Sequence, residues 1–412
     1  MNSQLENTFV KGLKPGLNLS ERSANAEKFL EQLSFPGRKD ENWRYTSVKK
    51  LAKLELAQVA DVAKVNISDY AIPELDCVRL LFVNGVFDQS QSDEVNISGI
   101  TVKRLSELTT DTGAQLVGSL SNEKEEIFDS INLAYLSDGV MISIEKNTEG
   151  SKPVHIIHVT TQSKSVSNTR NIIVAEQSAS LKVVESFHST DCTDALINHL
   201  TEITVKENAS VQYDKLQVEE GSNNYICKEE VKQLRDSRFT INTFSLKGKL
   251  VRNDLNIKVD GEHCETYLNG LFLPVGEQHI DNHTRVDHLK SNCMSSELYK
   301  GTGSGRSTSV FNGKVIVHVD AQKIEAFQQN NNILLSDEAT INAKPELEIY
   351  ADDVKCSHGT TTGQFDKDAI FYLRARGVGE KAAKSLLVAA FANEVIEKLE
   401  NPSLESYLQS FV

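Results

Sequence analysis

A polar turn followed by a strand of alternating residues recurs along the middle of this chain. It reads Glu176-Gln-Ser-Ala-Ser-Leu-Lys-Val, then Glu207-Asn-Ala-Ser-Val-Gln-Tyr, then Asp236-Ser-Arg-Phe-Thr-Ile-Asn. The spacing is roughly thirty residues, the period of a coil of strands in which each turn stacks on the one before and shares its core. A sandwich with long hairpins is the competing account. Two details favour the coil, although neither decides alone. Strong two-residue hairpin signals are few, Asn269-Gly270 and Asn312-Gly313 being the best. The run Gln328-Gln-Asn-Asn-Asn332 is suited to stacking amides between successive coils at a tight turn.

Short apolar runs such as VRLLFVNGVF, VHIIHVTT and RNIIVAE, closed by polar or glycine-containing turns, begin at Val78 and persist to about Ile349. Both ends read as helical. Residues 1–77 are expected to form a helical domain, with Asn18 or Ser20 capping one segment and Pro36-Gly37 ending it. Residues 78–365 form the strand-rich core and residues 366–412 a second helical domain. There Asp366 or Asp368 caps, Gly377 and Gly379 interrupt, Glu380 opens a longer helix and Pro402 stops it. Between Leu386 and Ala392 that helix is apolar on every side, so a neighbouring helix or a partner must cover it.

With 412 residues the chain is long enough for two or three domains, and its formal net charge of −14 argues against binding nucleic acid, which needs Lys and Arg against phosphates. The start, MNSQLENTFVKG, lacks the charged flank and apolar run of a signal peptide, and no segment is apolar for long enough to cross a bilayer. A cytoplasmic protein without membrane contact is the expectation. The six cysteines, at 77, 192, 227, 264, 293 and 356, are scattered without CxxC spacing and read as reduced thiols.

Several motifs point to chemistry only superficially. Gly301-Thr-Gly-Ser-Gly305-Arg-Ser lacks the Gly-Lys-Ser/Thr of a phosphate loop, so no nucleotide site is expected there. His279, His283 and His288 suggest zinc ligands, but Pro274 and Gly276 argue against a helix holding them on one face, and solvated strand or loop histidines fit better. His263 and Cys264 are adjacent, so on a strand they face opposite ways, and Cys264 reads as a core thiol. Trp43, the only tryptophan, sits among Arg38, Lys39, Arg44 and Tyr45 and reads as an aromatic anchor with arginines nearby.

Cys356 and His358 differ from these. Two residues apart on an extended segment, they project from one face, with ligand atoms near enough to touch one metal centre. Lys355 is expected to lower the thiol pKa, and a turn at Gly359 to leave the site open. A strand end with a buried thiol and a surface imidazole is the plainer reading of the same residues.

The segment Ala351-Asp-Asp-Val-Lys-Cys356-Ser-His358-Gly359, with the strand-rich run Arg306 to Leu335 before it, resembles the SufB/SufD family of iron-sulfur cluster assembly proteins. Phe35-Pro-Gly-Arg-Lys-Asp-Glu-Asn-Trp43-Arg-Tyr-Thr46 is similar to that family's N-terminal signature and Phe371-Tyr-Leu-Arg-Ala-Arg-Gly377 to its C-terminal one, so the resemblance covers most of the chain. Cys-Ser-His-Gly is closer to the SufD branch than to the SufB branch.

The resemblance implies a right-handed parallel β-helix core between helical ends. It implies a non-enzymatic scaffold in which His358, with Cys356 in the same motif, contributes to a nascent iron-sulfur cluster. It further implies a SufB-type paralogue across the interface, a SufC-type ABC ATPase on the C-terminal helices, and a homodimer when the chain is alone. A cluster usually takes four protein ligands, so a chain offering two needs a partner. A SufB-type subunit, or a β-helix enzyme acting on polysaccharides or acyl groups, are the other readings. For the enzyme, Asp352-Asp353 mimic a carboxylate pair but face opposite ways, and no hexapeptide period appears.

Overall fold

The computed structural model describes residues 13–19, 21–59, 64–219 and 221–412. The chain alternates between two ten-stranded sheets. One is ordered Thr340–Ile349, Thr308–Val317, His279–His288, Leu250–Val259, Ser222–Gln233, Thr193–Val205, Ser165–Ala175, Val140–Ile144 and Ile100–Arg104, with Ala57–Gln58 paired to its seventh strand. The other is ordered Val354–Gln364, Ile324–Leu334, Met294–Gly303, Glu265–Phe272, Arg238–Ser245, Ser210–Gln217, Ser180–Ser189, Val154–Thr160, Val78–Val83 and Val86–Phe87. Successive strands of each sheet pair in parallel, giving a β-solenoid of about eight coils. Among the described residues, antiparallel pairing occurs only at the N-terminal end, where Val86–Phe87 and Ile100–Arg104 cap the two sheets. Asn269-Gly270 and Asn312-Gly313 lie inside strands and make no hairpin.

The recurring turn builds the coil. Ser178, Asn208, Asp236, His263, Asn292 and Lys323 all adopt positive φ, one per coil and roughly thirty residues apart. The short polar residues among them tolerate this left-handed corner. Each is followed by a buried residue at the top of the next strand, namely Ala179, Ala209, Ser237, Cys264, Cys293 and Ile324, which stack into a ladder. This explains His263 and Cys264: the pair sits on a corner rather than in a strand, with the imidazole outside and the thiol in the core.

Gly301 lies within a strand, and a Cβ there would fall 2.0 Å from the Phe272 ring of the preceding coil, while Gly305 takes φ +67° at the corner that follows. These glycines serve packing and a turn. Gly301→Val is expected to lower stability by about 1–3 kcal/mol through overpacking, read as a lower melting temperature; an unchanged melting curve would contradict this account.

Among the described residues before Val78, the α-helix is Glu21–Leu30, and the rest are short 3-10 turns and extended arm. Ser20 lies outside the described residues. The arm lies over the outer face of the first sheet because Trp43 is buried there against Phe128, ring centroids 5.6 Å apart. The arginine that stacks on it is Arg252, at 4.4 Å from the indole, and none of the neighbours in sequence.

At the other end, Asp366 caps the helix Lys367–Ala375 by accepting from the Asp368 amide. Helix Glu380–Ile396 follows, and its C-terminal part packs on the second sheet through Ala392, Val395 and Ile396 against Phe244 and Leu271. Pro402 starts a further helix, Pro402–Gln409, capped by Asn401. No helix among the described residues is long and apolar enough to cross a membrane.

Candidate functional site

Cys356 and His358 lie on Val354–Gln364, the last strand of the second sheet. In the parallel ladder Cys356 pairs with Ala326 and His358 with Gln328, both buried on the inward side of the preceding coil. Paired residues of a ladder project to the same side, so thiol and imidazole share the inward face of the final coil. Among the described residues no coil lies beyond it. Cys356 is therefore half-buried against the core, and His358, though inward-facing, is exposed. Its ring makes no hydrogen bond among the described residues.

The expected roles of two neighbours are corrected. Lys355 points to the opposite side, where it pairs with Glu325 at 2.8 Å, and burial pushes the Cys356 thiol up rather than down. The strand's alternation puts the ammonium on the wrong face to stabilise a thiolate. The Cys356 proton must leave when a metal binds. Gly359 is part of the strand, paired with Gln329, and the site is open because the solenoid ends there rather than because the chain turns.

The amide run supports this strand from below, in mid-strand rather than at a tight turn. Gln328, Asn330 and Asn332 are buried. Gln328 donates to Glu297 at 2.7 Å, Asn330 to the Tyr299 carbonyl at 3.2 Å, and Asn332 to the Thr361 carbonyl at 3.3 Å. Thr361 Oγ1 donates to Asn331 at 3.0 Å. These bonds fix the register of the strand carrying the two donors.

His279, His283 and His288 share one strand but not one centre. His279 bonds Thr46 at 2.7 Å, His283 pairs with Asp281 at 3.0 Å, and His288, on the other face, bonds Ser295 at 2.9 Å inside the core. They are strand residues, as expected, but His288 is fully buried rather than solvated, and burial lowers its pKa to about 4. Asp352 and Asp353 sit in an exposed bend before the last strand.

Sequence reasoning missed one grouping: His158, Glu185 and His199, from three different strands, converge in the core. Two histidines in VHIIHVTT were visible in the sequence, but nothing in it showed that Glu185 would meet them.

In class terms this is a parallel β-solenoid, capped at one end, that presents a thiol and an imidazole on its open end. Residues 158–391 match the family described as SUF system FeS cluster assembly, SufBD core domain, and residues 6–156 match the SufBD protein N-terminal region. The chain belongs to the SufB/SufD family of iron-sulfur cluster assembly proteins. It is 31% identical to an iron-sulfur cluster assembly SufBD family protein of Synechocystis sp., over 99% of this chain and 93% of the relative. With iron-sulfur cluster assembly protein SufD of Escherichia coli it shares 30% identity over 94% of this chain and 91% of the relative. The Bacillus subtilis protein of that name is 26% identical over 69% of this chain and 65% of its own length.

Proposed function

We propose that this chain is the SufD-type scaffold subunit of an iron-sulfur cluster assembly complex. In this reading His358 and Cys356 supply part of the ligand set of a nascent cluster, and a SufB-type paralogue supplies the rest. The observation that carries it is the position of both donors on the inward face of the last coil, beside strand edges that pair with nothing further. Two ligands hold a cluster weakly, and a site shared between chains opens when they separate, which suits transfer of the cluster as cargo.

The second surface is apolar. Phe371, Tyr372 and Leu386 are 74, 55 and 53% exposed on the helices Lys367–Ala375, which buries no residue, and Glu380–Ile396, which is buried mainly toward its C-terminal end. A patch of this kind marks an interaction site, and we assign it to a SufC-type ATPase. Motion driven by nucleotide binding in that partner would reach the solenoid through Lys300, which bonds Glu394 and the Phe391 carbonyl of the same helix.

The test is His358→Ala in the co-expressed complex, purified without oxygen, with iron and acid-labile sulfide counted. A severalfold loss of both with the subunits still associated is the expected result. Wild-type cluster content in the variant would overturn the assignment.

A further inference from the structure

His158, Glu185 and His199 lie inside the solenoid on strands Val154–Thr160, Ser180–Ser189 and Thr193–Val205, far in the chain from Cys356 and His358. Glu185 Oε1 lies 2.8 Å from His158 Nε2 and 3.1 Å from His199 Nε2, and the three ligand atoms are all within 4.8 Å of one another. Side-chain exposures are 8, 0 and 0%. No other such grouping of His, Cys, Asp and Glu occurs among the described residues.

Each of the three is held from outside. The His158 ring is sandwiched between Phe82 and Phe187, at 5.0 and 4.7 Å between centroids. His199 Nδ1 is 2.7 Å from Thr169 Oγ1, while Nε2 lies 3.0 Å from Thr201 Oγ1 and 3.1 Å from Glu185. Glu185 Oε1 accepts from Asn171 Nδ2 at 2.8 Å and Oε2 from the Tyr213 hydroxyl. Outer partners that orient every ligand are the usual support of a metal centre.

The charges also need a cation. The Glu185 side chain is fully buried. No Lys or Arg bonds to it, and the buried ammonium of Lys215 is committed to both oxygens of Glu229 at 2.7 Å. An ionised carboxylate in a dry interior without a fixed positive partner costs several kcal/mol.

We propose that His158, Glu185 and His199 form a binding site for one divalent first-row transition-metal ion. Two imidazoles and a carboxylate, with no thiolate, suit Fe2+, Co2+ or Zn2+. The ligand atoms need to part by only a few tenths of an ångström to surround an ion at the usual distances of about 2.0–2.2 Å. Because the site is closed to solvent, the ion enters as the coils form and exchanges slowly. It is independent of the cluster site at the open end.

The test uses the full chain produced in medium supplemented with Co2+ and passed through a weak chelator, with bound metal and the visible ligand-field bands measured. One ion per chain with imidazole-ligated Co2+ bands is expected, falling at least tenfold in Glu185→Gln and in His199→Gln. Retention in both core variants would place the ion elsewhere and overturn the proposal. Should the core variants fail to fold, the wild-type chain alone decides. If it carries no stoichiometric ion and melts at the same temperature whether produced with Co2+ or under metal limitation, the proposal is wrong.

Discussion

Replacing Arg252 with Met is expected to destabilise the protein by about 3–5 kcal/mol and to release the N-terminal arm, because it removes the cation from a buried charge cluster while leaving the anions. Arg252 is 1% exposed. Its Nη1 donates to Asp281 at 2.7 Å and to the Asn42 carbonyl at 2.8 Å, while Nε and Nη2 fork onto Asp254 at 2.8 and 2.6 Å. Trp43 covers the guanidinium. Burial alone pushes the Asp281 carboxyl up, but Arg252, His283 and Thr46 together hold it well below the usual range. Without Arg252 that carboxylate, 1% exposed, keeps its desolvation penalty and loses its main compensation. Met preserves bulk and contact with Trp43, so the loss reports charge rather than a cavity. Arg252→Lys should fall between, since one ammonium cannot reproduce the fork. Thermal melting and limited proteolysis read the result, with faster cleavage expected near Arg38, Lys39 and Arg44. A melting temperature within a degree of the parent would show that the arm is held by its apolar contacts alone.

The same cluster shows what a sequence can and cannot disclose. Trp43 is legible as an anchor from its surroundings, but Arg252 lies far along the chain and no local pattern links the two. The coil is legible because its period is written into the turns: one left-handed corner per coil demands a tolerant residue, and the position after it is small or apolar. The helix Ile127–Ala134 is not legible, since eight residues are too few for its period to stand out and its polar residues Asp129, Ser130 and Asn132 are buried with the rest. At the candidate site, alternation correctly puts Cys356 and His358 on one face. Applied to Lys355, the same rule would have turned it away from the thiol. His158, Glu185 and His199 come together only because stacking brings separate coils into register, a juxtaposition that no spacing encodes.

The open end of the solenoid offers two edges, and they are not equivalent. Thr340–Ile349 carries Pro345 in its middle, flanked by Lys344 and Glu346. Proline and charge on an edge strand are the usual means of preventing further pairing. Val354–Gln364 has no proline and presents Cys356-Ser-His-Gly359-Thr-Thr-Thr-Gly363. Strand addition by a partner is therefore expected on the second sheet, beside His358, where a ladder would also bring the partner's ligands to the proposed cluster site. Proline at Thr360 or at Thr361 separates the two sides of that strand, because successive amides point in opposite directions, one into the existing ladder and one outward. Of the two variants, the one that removes the outward N–H should keep the parent melting temperature while losing the partner. The other should lower the melting temperature through the lost ladder bond. Losing one interchain hydrogen bond at about 1 kcal/mol, together with steric block by the ring, predicts roughly a tenfold weaker association or more. Co-purification with the SufB-type paralogue measures it, and the same variant should abolish any homodimer formed through this edge. If both variants associate as the parent does, the partner does not pair here, and His358 would have to reach a shared cluster by some contact other than strand addition.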